Sequence, residues 1–144
     1  MRSKRSGGGG FTLVELIVVI VIAGTLSSVA IVRYRDMRDA TRQAATKQSL
    51  AEMRSAIVLF QVAQAVQTGT ARWPTYAEYR TSGTVLMGRL PRNPYQLTNR
   101  APDSVINGNT LPRGRTRGTR GGWVYKQSTG ETWANTTTSR SNTW

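Results

Sequence analysis

Residues 11–32, FTLVELIVVIVIAGTLSSVAIV, place an apolar side chain at sixteen of 22 positions, and Glu15 is their only charge. At about 1.5 Å per residue, a helix of that length is roughly 33 Å long, the thickness of a bilayer's hydrocarbon core. The many β-branched residues would favour a strand in water. In lipid, unpaired backbone groups are so costly that a helix is the expected form. After Val32 the pattern changes from solid to striped. Met37, Ala40, Ala44, Met53, Ala56, Ile57, Phe60, Ala63 and Val66 recur mostly at three- and four-residue steps, with Arg35, Arg38, Arg42 and Lys47 on other faces. No proline or glycine interrupts residues 33–68, and Gly69 marks a stop. The pattern predicts one continuous helix, half suited to lipid and half amphipathic, whose stripe packs on the chain's own C-terminal part.

Past Gly69 the elements are short. Arg72–Tyr79 reads as a turn with a brief helical stretch, and Leu90-Pro91-Arg92-Asn93-Pro94-Tyr95 as a rigid loop, because each proline fixes its own φ and biases its predecessor toward extended geometry. Residues 98–121 show no periodicity and are expected to form a long loop, mobile unless something binds it. Trp123–Lys126 and Glu131–Asn135 flank a Gly-containing turn and predict a β-hairpin, with Trp123, Tyr125 and Trp133 available to share one face, depending on register. A hairpin alone is marginal in water and must pack on the helix or find another strand. Thr136–Trp144 reads as a frayed polar tail. The fold class is α+β: a long N-terminal helix followed by a small antiparallel β-hairpin or sheet with long loops. The organisation is a leader (1–10), a transmembrane helix (11–32), its amphipathic continuation (33–68) and a small loop-rich part (69–144).

Composition narrows the chemistry. The 144 residues hold 20 Lys and Arg against seven Asp and Glu, a formal net charge of +13, with neither cysteine nor histidine. That removes disulfides, thiolate or imidazole metal sites, and Ser-His or Cys-His nucleophile pairs. The seven acids (Glu15, Asp36, Asp39, Glu52, Glu78, Asp103 and Glu131) form no recognisable acid/base pair, so no catalytic residue and no cofactor is assigned.

Glu15 stands one helical turn into the apolar span, where a carboxylate at mid-bilayer depth costs on the order of 2–3 kcal/mol and less near an end. It sits just after an abrupt junction: MRSKRSGGGG, charged and glycine-rich, gives way at Gly10-Phe11 to the apolar run. The string Gly10-Phe11-Thr12-Leu13-Val14-Glu15 resembles the cleavage and methylation signal of type IV pilins and type II secretion pseudopilins. The resemblance implies a pilin-like fold, cleavage between Gly10 and Phe11 by a membrane-embedded prepilin peptidase, and methylation of the new amine on Phe11. Gly24, Tyr34 and Asp36 also fall where the family often has such residues, whereas Val32 stands where it usually has proline. The hairpin end resembles the C-terminal sheet of the major-pseudopilin-like group, more weakly.

The charge argument agrees with that resemblance. A freed Phe11 amine and a neighbour's Glu15 carboxylate are each badly solvated in lipid, and pairing neutralises both. Glu15 would thus set the register between subunits. Gly24 and Ser28, at i and i+4, form a small-residue face that permits close helix approach. Expected partners are prepilin peptidase, other pilin-like subunits in a helical filament, and an inner-membrane assembly platform. The expected location is a bacterial inner membrane, with the leader cytoplasmic and the C-terminal part periplasmic, before assembly into a periplasmic or extracellular filament.

Two rival readings use the same residues: a secretory signal peptide cut after Ser28-Val29-Ala30, and a plain signal anchor. The charge distribution also opposes the expected orientation. Arg2, Lys4 and Arg5 precede the span, while Arg33, Arg35, Arg38, Arg42 and Lys47 follow it, which by the positive-inside rule favours the opposite topology. The cleavage motif is the more specific signal.

Two further candidates lie in the long loop. Some pseudopilins bind calcium there, which draws attention to Asp103, Asn107 and Asn109, although calcium usually takes several carboxylates and only Asp103 supplies one. Asn107-Gly108 is equally a turn signal. Arg113, Arg115, Arg117 and Arg120 place four guanidiniums within eight residues, able to contact phosphates. The alternatives are a solvated loop or an acidic protein surface, and no aromatic interleaves to stack on bases. The function read from the sequence is a structural subunit of a type IV filament system, foremost a secretion-type pseudopilus. The alternatives are a DNA-uptake pilin using the arginine loop, and an anchored or secreted basic binding protein.

Overall fold

The computed structural model describes residues 10–144; residues 1–9, most of the expected leader, lie outside the described residues. Helix α1 runs from Leu13 to Thr68, 56 residues without a break. Val32, in the position where the family usually has proline, continues it. Gly69 ends it at φ +73°, a left-handed conformation that suits glycine, with its N–H returned to the Ala65 carbonyl at 3.0 Å. Contacts divide the chain into two units, Met1–Asp39 and Ala40–Trp144.

In the first unit every described side chain of α1 is exposed. By length and composition α1 is apolar enough to cross a membrane. Its hydroxyls are turned back on the helix. Thr25 donates to Ile22 O, Ser27 to Ala23 O and Ser28 to Thr25 O, at 2.9, 2.7 and 2.7 Å. The helix therefore offers an apolar environment few unsatisfied donors.

The second unit is built on a three-stranded sheet: β1 (Val105–Asn107), β2 (Trp123–Lys126) and β3 (Glu131–Ala134), in the order β1-β2-β3. β2 and β3 form the expected antiparallel hairpin. β1 is an addition. It pairs parallel with β2, Val105 opposite Trp123 and Asn107 opposite Tyr125, within a stretch whose sequence reads as loop. Three residues are too few for alternation to register, and the strand exists only because β2 is beside it.

Register also corrects the aromatic face. Val124 lies opposite Trp133, so Trp133 shares its face with Val124 and not with Trp123 and Tyr125. Trp123 and Tyr125 face a core with Leu50, Met53, Ile57, Tyr79, Leu86, Val105 and Ala134. Tyr79 and Tyr125 stack with ring centroids 4.3 Å apart. From α1 the buried stripe is Thr46, Leu50, Met53 and Ile57, at steps of four, three and four. The expected stripe is therefore buried at Met53 and Ile57 and half-buried at Ala56 and Phe60, whereas Met37, Ala40, Ala44, Ala63 and Val66 are exposed. Thr46 is tolerated inside because its hydroxyl donates to Arg42 O at 2.8 Å.

A short helix α2 (Tyr76–Arg80) begins at a capping box: Thr75 Oγ1 accepts from Glu78 N at 3.2 Å, and Glu78 Oε2 accepts from Thr75 N at 2.7 Å. Arg72 grips the same carboxylate through two nitrogens at 2.8 and 2.7 Å, and its guanidinium lies 5.1 Å from the Phe60 ring centre. The end of the chain is ordered, not frayed. Thr138–Thr143 forms 3₁₀ turns, Ser141 is buried, and Trp144 is held by the Arg54 guanidinium on its carbonyl and by Lys47 over its ring.

Candidate functional site

Gly10, Phe11, Thr12 and Glu15 make the N-terminal segment around the start of α1. Thr12 is the residue before the first helical turn, and Glu15 is the third residue in. Thr12 Oγ1 accepts from Glu15 N at 3.2 Å, and Glu15 Oε2 accepts from both Thr12 N and Thr12 Oγ1 at 2.9 Å. This is a reciprocal cap that satisfies two of the backbone donors every helix leaves open. The charge-pairing argument missed it, although the T-x-x-E spacing was legible in the sequence. All three contacts to Thr12 leave Glu15 Oε1 uncommitted among the described residues. Gly10 and Phe11, the expected cleavage pair, are exposed, Phe11 by 87 %. A Cβ placed on Gly10 would meet nothing within 4 Å. Gly24 is likewise open, and Ser28 is exposed one turn further on.

The arginine-rich loop is the larger correction. It is bound, and what binds it is the chain itself. Trp133 Nε1 donates to Arg115 O at 2.9 Å. Asn135 Nδ2 donates to the carbonyls of Arg117, Arg120 and Gly121 at 3.1, 3.0 and 3.2 Å, while its Oδ1 accepts from Arg117 N at 2.7 Å. Asn142 Nδ2 holds Gly114 O at 2.7 Å. The loop thereby covers the Val124–Trp133 face of the sheet, as closely as Gly108, where a Cβ would lie 2.5 Å from Val124 Cγ1.

The four guanidiniums remain on the surface. Arg113 reaches Glu131 at 3.4 Å and Arg117 touches Asn107 O at 3.4 Å. Asn135 has no local sequence signature: its role appears only when residues 117–121 are folded beside it.

Asp103 is exposed and lines a cleft with Arg80 and Arg89, a basic surrounding unlike a cation site. The side-chain oxygens of Asn107 and Asn109 accept from Asn109 N and Gln127 N at 3.0 and 2.8 Å, so both amides serve the turn. Among the described residues no three His, Cys, Asp or Glu side chains come together.

Residues 5–31 match the model of the prokaryotic N-terminal methylation motif. The chain is 43 % identical over 59 residues to the type IV narrow pilus major component PilA5 of Thermus thermophilus, a match covering 41 % of this chain and 47 % of that protein. The chain thus spans about half the length of this relative. No solved structure matches it. The chain thus carries a prokaryotic N-terminal methylation motif at the head of a helix that is exposed from Leu13 to Asp39, and over 41 % of its length it is similar to a type IV pilus component.

Proposed function

We propose that the chain is a structural subunit of a type IV filament, made as a membrane-held precursor, cut between Gly10 and Phe11 by a prepilin peptidase, and assembled through α1. The observation that carries this reading is the methylation motif at the head of a helix whose apolar side chains from Leu13 to Met37 are all uncovered. Each buried Val, Leu or Ile is worth roughly 1.5–3 kcal/mol, so these side chains must be covered by lipid or by other helices. Both environments lack water, which lets one surface serve the precursor in the bilayer and the mature subunit in a filament core. Small residues at Gly24 and Ser28 would allow neighbouring helices to approach closely.

Glu15 fits the assembly step. Its cap to Thr12 uses one carboxylate oxygen, and the other is available to the Phe11 amine of an adjoining subunit. The leader would lie on the cytoplasmic side of an inner membrane and the C-terminal part on the other, with an assembly platform at the membrane.

The Thermus thermophilus relative is a pilus major component, which favours a pilus. The sequence resemblance of the C-terminal hairpin supports a secretion-type pseudopilus as the second reading. Either role is mechanical, not enzymatic. Shearing and sedimentation tests it: the chain should pellet with filaments from wild-type cells and stay in membranes when the prepilin peptidase is deleted. Unchanged pelleting would refute the proposal.

A further inference from the structure

The second unit contains a polar cleft of about 250 Å³ that filament assembly through α1 does not use. Its wall is made of hydroxyls and amides, among them Thr116, Thr119, Thr137, Thr138 and Gln96, with Arg100 beside them. The cleft is built, not incidental. Gln96 Nε2 donates to Thr119 O at 3.3 Å and Gly121 O at 2.8 Å, and Gly121 N donates to Arg100 O at 2.7 Å, joining residues 96–100 to the arginine loop. Asn135 fixes the carbonyls of Arg117 and Arg120 on the other side.

The part of the chain that contains the cleft is also basic. Residues 69–144 hold eleven Lys and Arg against three Asp and Glu. Glu78 is taken by Arg72 and Glu131 by Arg113. Among the described residues, no ion-pair partner reaches Arg100, Arg117 or Arg120.

We propose that this cleft binds a carboxylate-bearing polysaccharide. Guanidiniums form paired hydrogen bonds with carboxylates, and threonine hydroxyls both donate and accept, as sugar hydroxyls do. A phosphate backbone only accepts, and would leave the accepting capacity of that wall unused. No free ring is offered for base stacking, since Tyr95, the aromatic side chain of the wall, packs against Trp144 with centroids 6.2 Å apart. The volume falls below the roughly 300–1,000 Å³ of pockets that enclose a small molecule. It suits one sugar unit of a chain, with Arg100 in the wall to meet its carboxylate.

The test is titration of the full chain, purified in detergent micelles, with an oligogalacturonate, a neutral oligosaccharide of equal length, and duplex DNA, all at about 0.15 M salt. The oligogalacturonate should bind, the neutral sugar should not, and DNA should bind at least about tenfold more weakly. Arg100→Ala should weaken oligogalacturonate binding about tenfold, the loss of one charge-assisted hydrogen bond. Thr138→Val should weaken it severalfold, while Arg89→Ala, the same charge change outside the cleft, should leave it unaltered. Equal affinity for DNA, equal losses in Arg100→Ala and Arg89→Ala, or no oligogalacturonate binding would each overturn the proposal.

Discussion

The indole N–H of Trp133 donates to the carbonyl of Arg115 at 2.9 Å, so a strand residue in the sheet holds the backbone of the arginine loop. The same device recurs across the small fold. Trp123 Nε1 donates to Pro91 O at 2.6 Å, Tyr125 Oη to Pro74 O at 2.7 Å, and Tyr76 Oη to Val105 O at 2.9 Å. Aromatic side chains pack their rings inward and direct their polar tips to backbone carbonyls of neighbouring segments. Eleven strand residues thus organise a stretch, residues 69–144, that is mostly loop.

Trp133→Phe keeps most of the ring and removes that donor. The Arg115 carbonyl then loses its part-buried hydrogen bond, at a cost of about 0.5–1.5 kcal/mol. Trypsin should cut at Arg113–Arg120 faster than in the wild type, and the melting temperature should fall.

Asn135→Ala should be worse. It removes one acceptor and the donor shared among three carbonyls, leaving Arg117, Arg120 and Gly121 short of partners. The expected loss is on the order of 3 kcal/mol in thermal or denaturant unfolding. Asn135→Asp, which keeps the acceptor but not the donor, should not restore stability.

Gly122→Ala should destabilise by about 1–3 kcal/mol or more, because its Cβ would run into the Pro102 carbonyl, a backbone atom with no rotamer to escape into. Gly88→Ala, where a Cβ meets nothing within 4 Å, should be neutral. Paired melting curves compare them.

Arg72, together with the Thr75 cap, holds the Glu78 carboxyl down to about 2. Since that lies below the ordinary carboxylate value, its contribution is complete above the unfolded-state pKa and disappears as the pH falls toward 2. The melting temperature of the wild type should therefore drop through this acid window. In Glu78→Gln that part of the slope should be missing and the neutral-pH melting temperature lower.

Much of this was legible along the chain, and the failures have physical causes. The apolar run and its Gly69 stop announce α1, and the alternation around Gly130 announces the hairpin, because both depend on local periodicity. β1 was hidden because Val105–Asn107 owes its pairing to residues eighteen positions away. The inward stripe drifted because the sheet covers only the Thr46–Ile57 stretch of α1, leaving Val66 apolar yet exposed. Two T-x-x-E caps, Thr12–Glu15 and Thr75–Glu78, stood in plain sequence. The first was overlooked because Glu15 was weighed as a charge in lipid and not as a hydrogen-bond acceptor for its own helix.

That double role separates two variants. Thr12→Val loses the hydroxyl half of the cap but keeps the carboxylate, and Glu15→Leu loses the carboxylate and its half of the cap. If Glu15 sets subunit register, Thr12→Val should still enter filaments, while Glu15→Leu should insert and be processed yet be poorly incorporated. Equal incorporation of the two, read by quantitative immunoblotting of sheared filaments, would assign Glu15 to the cap alone.

Intact-mass and N-terminal sequencing of the chain recovered from filaments bears most directly on the whole account. A polypeptide that starts at Phe11 and carries one added methyl group is the predicted result. A start at Ile31, or a leader still attached, would contradict it.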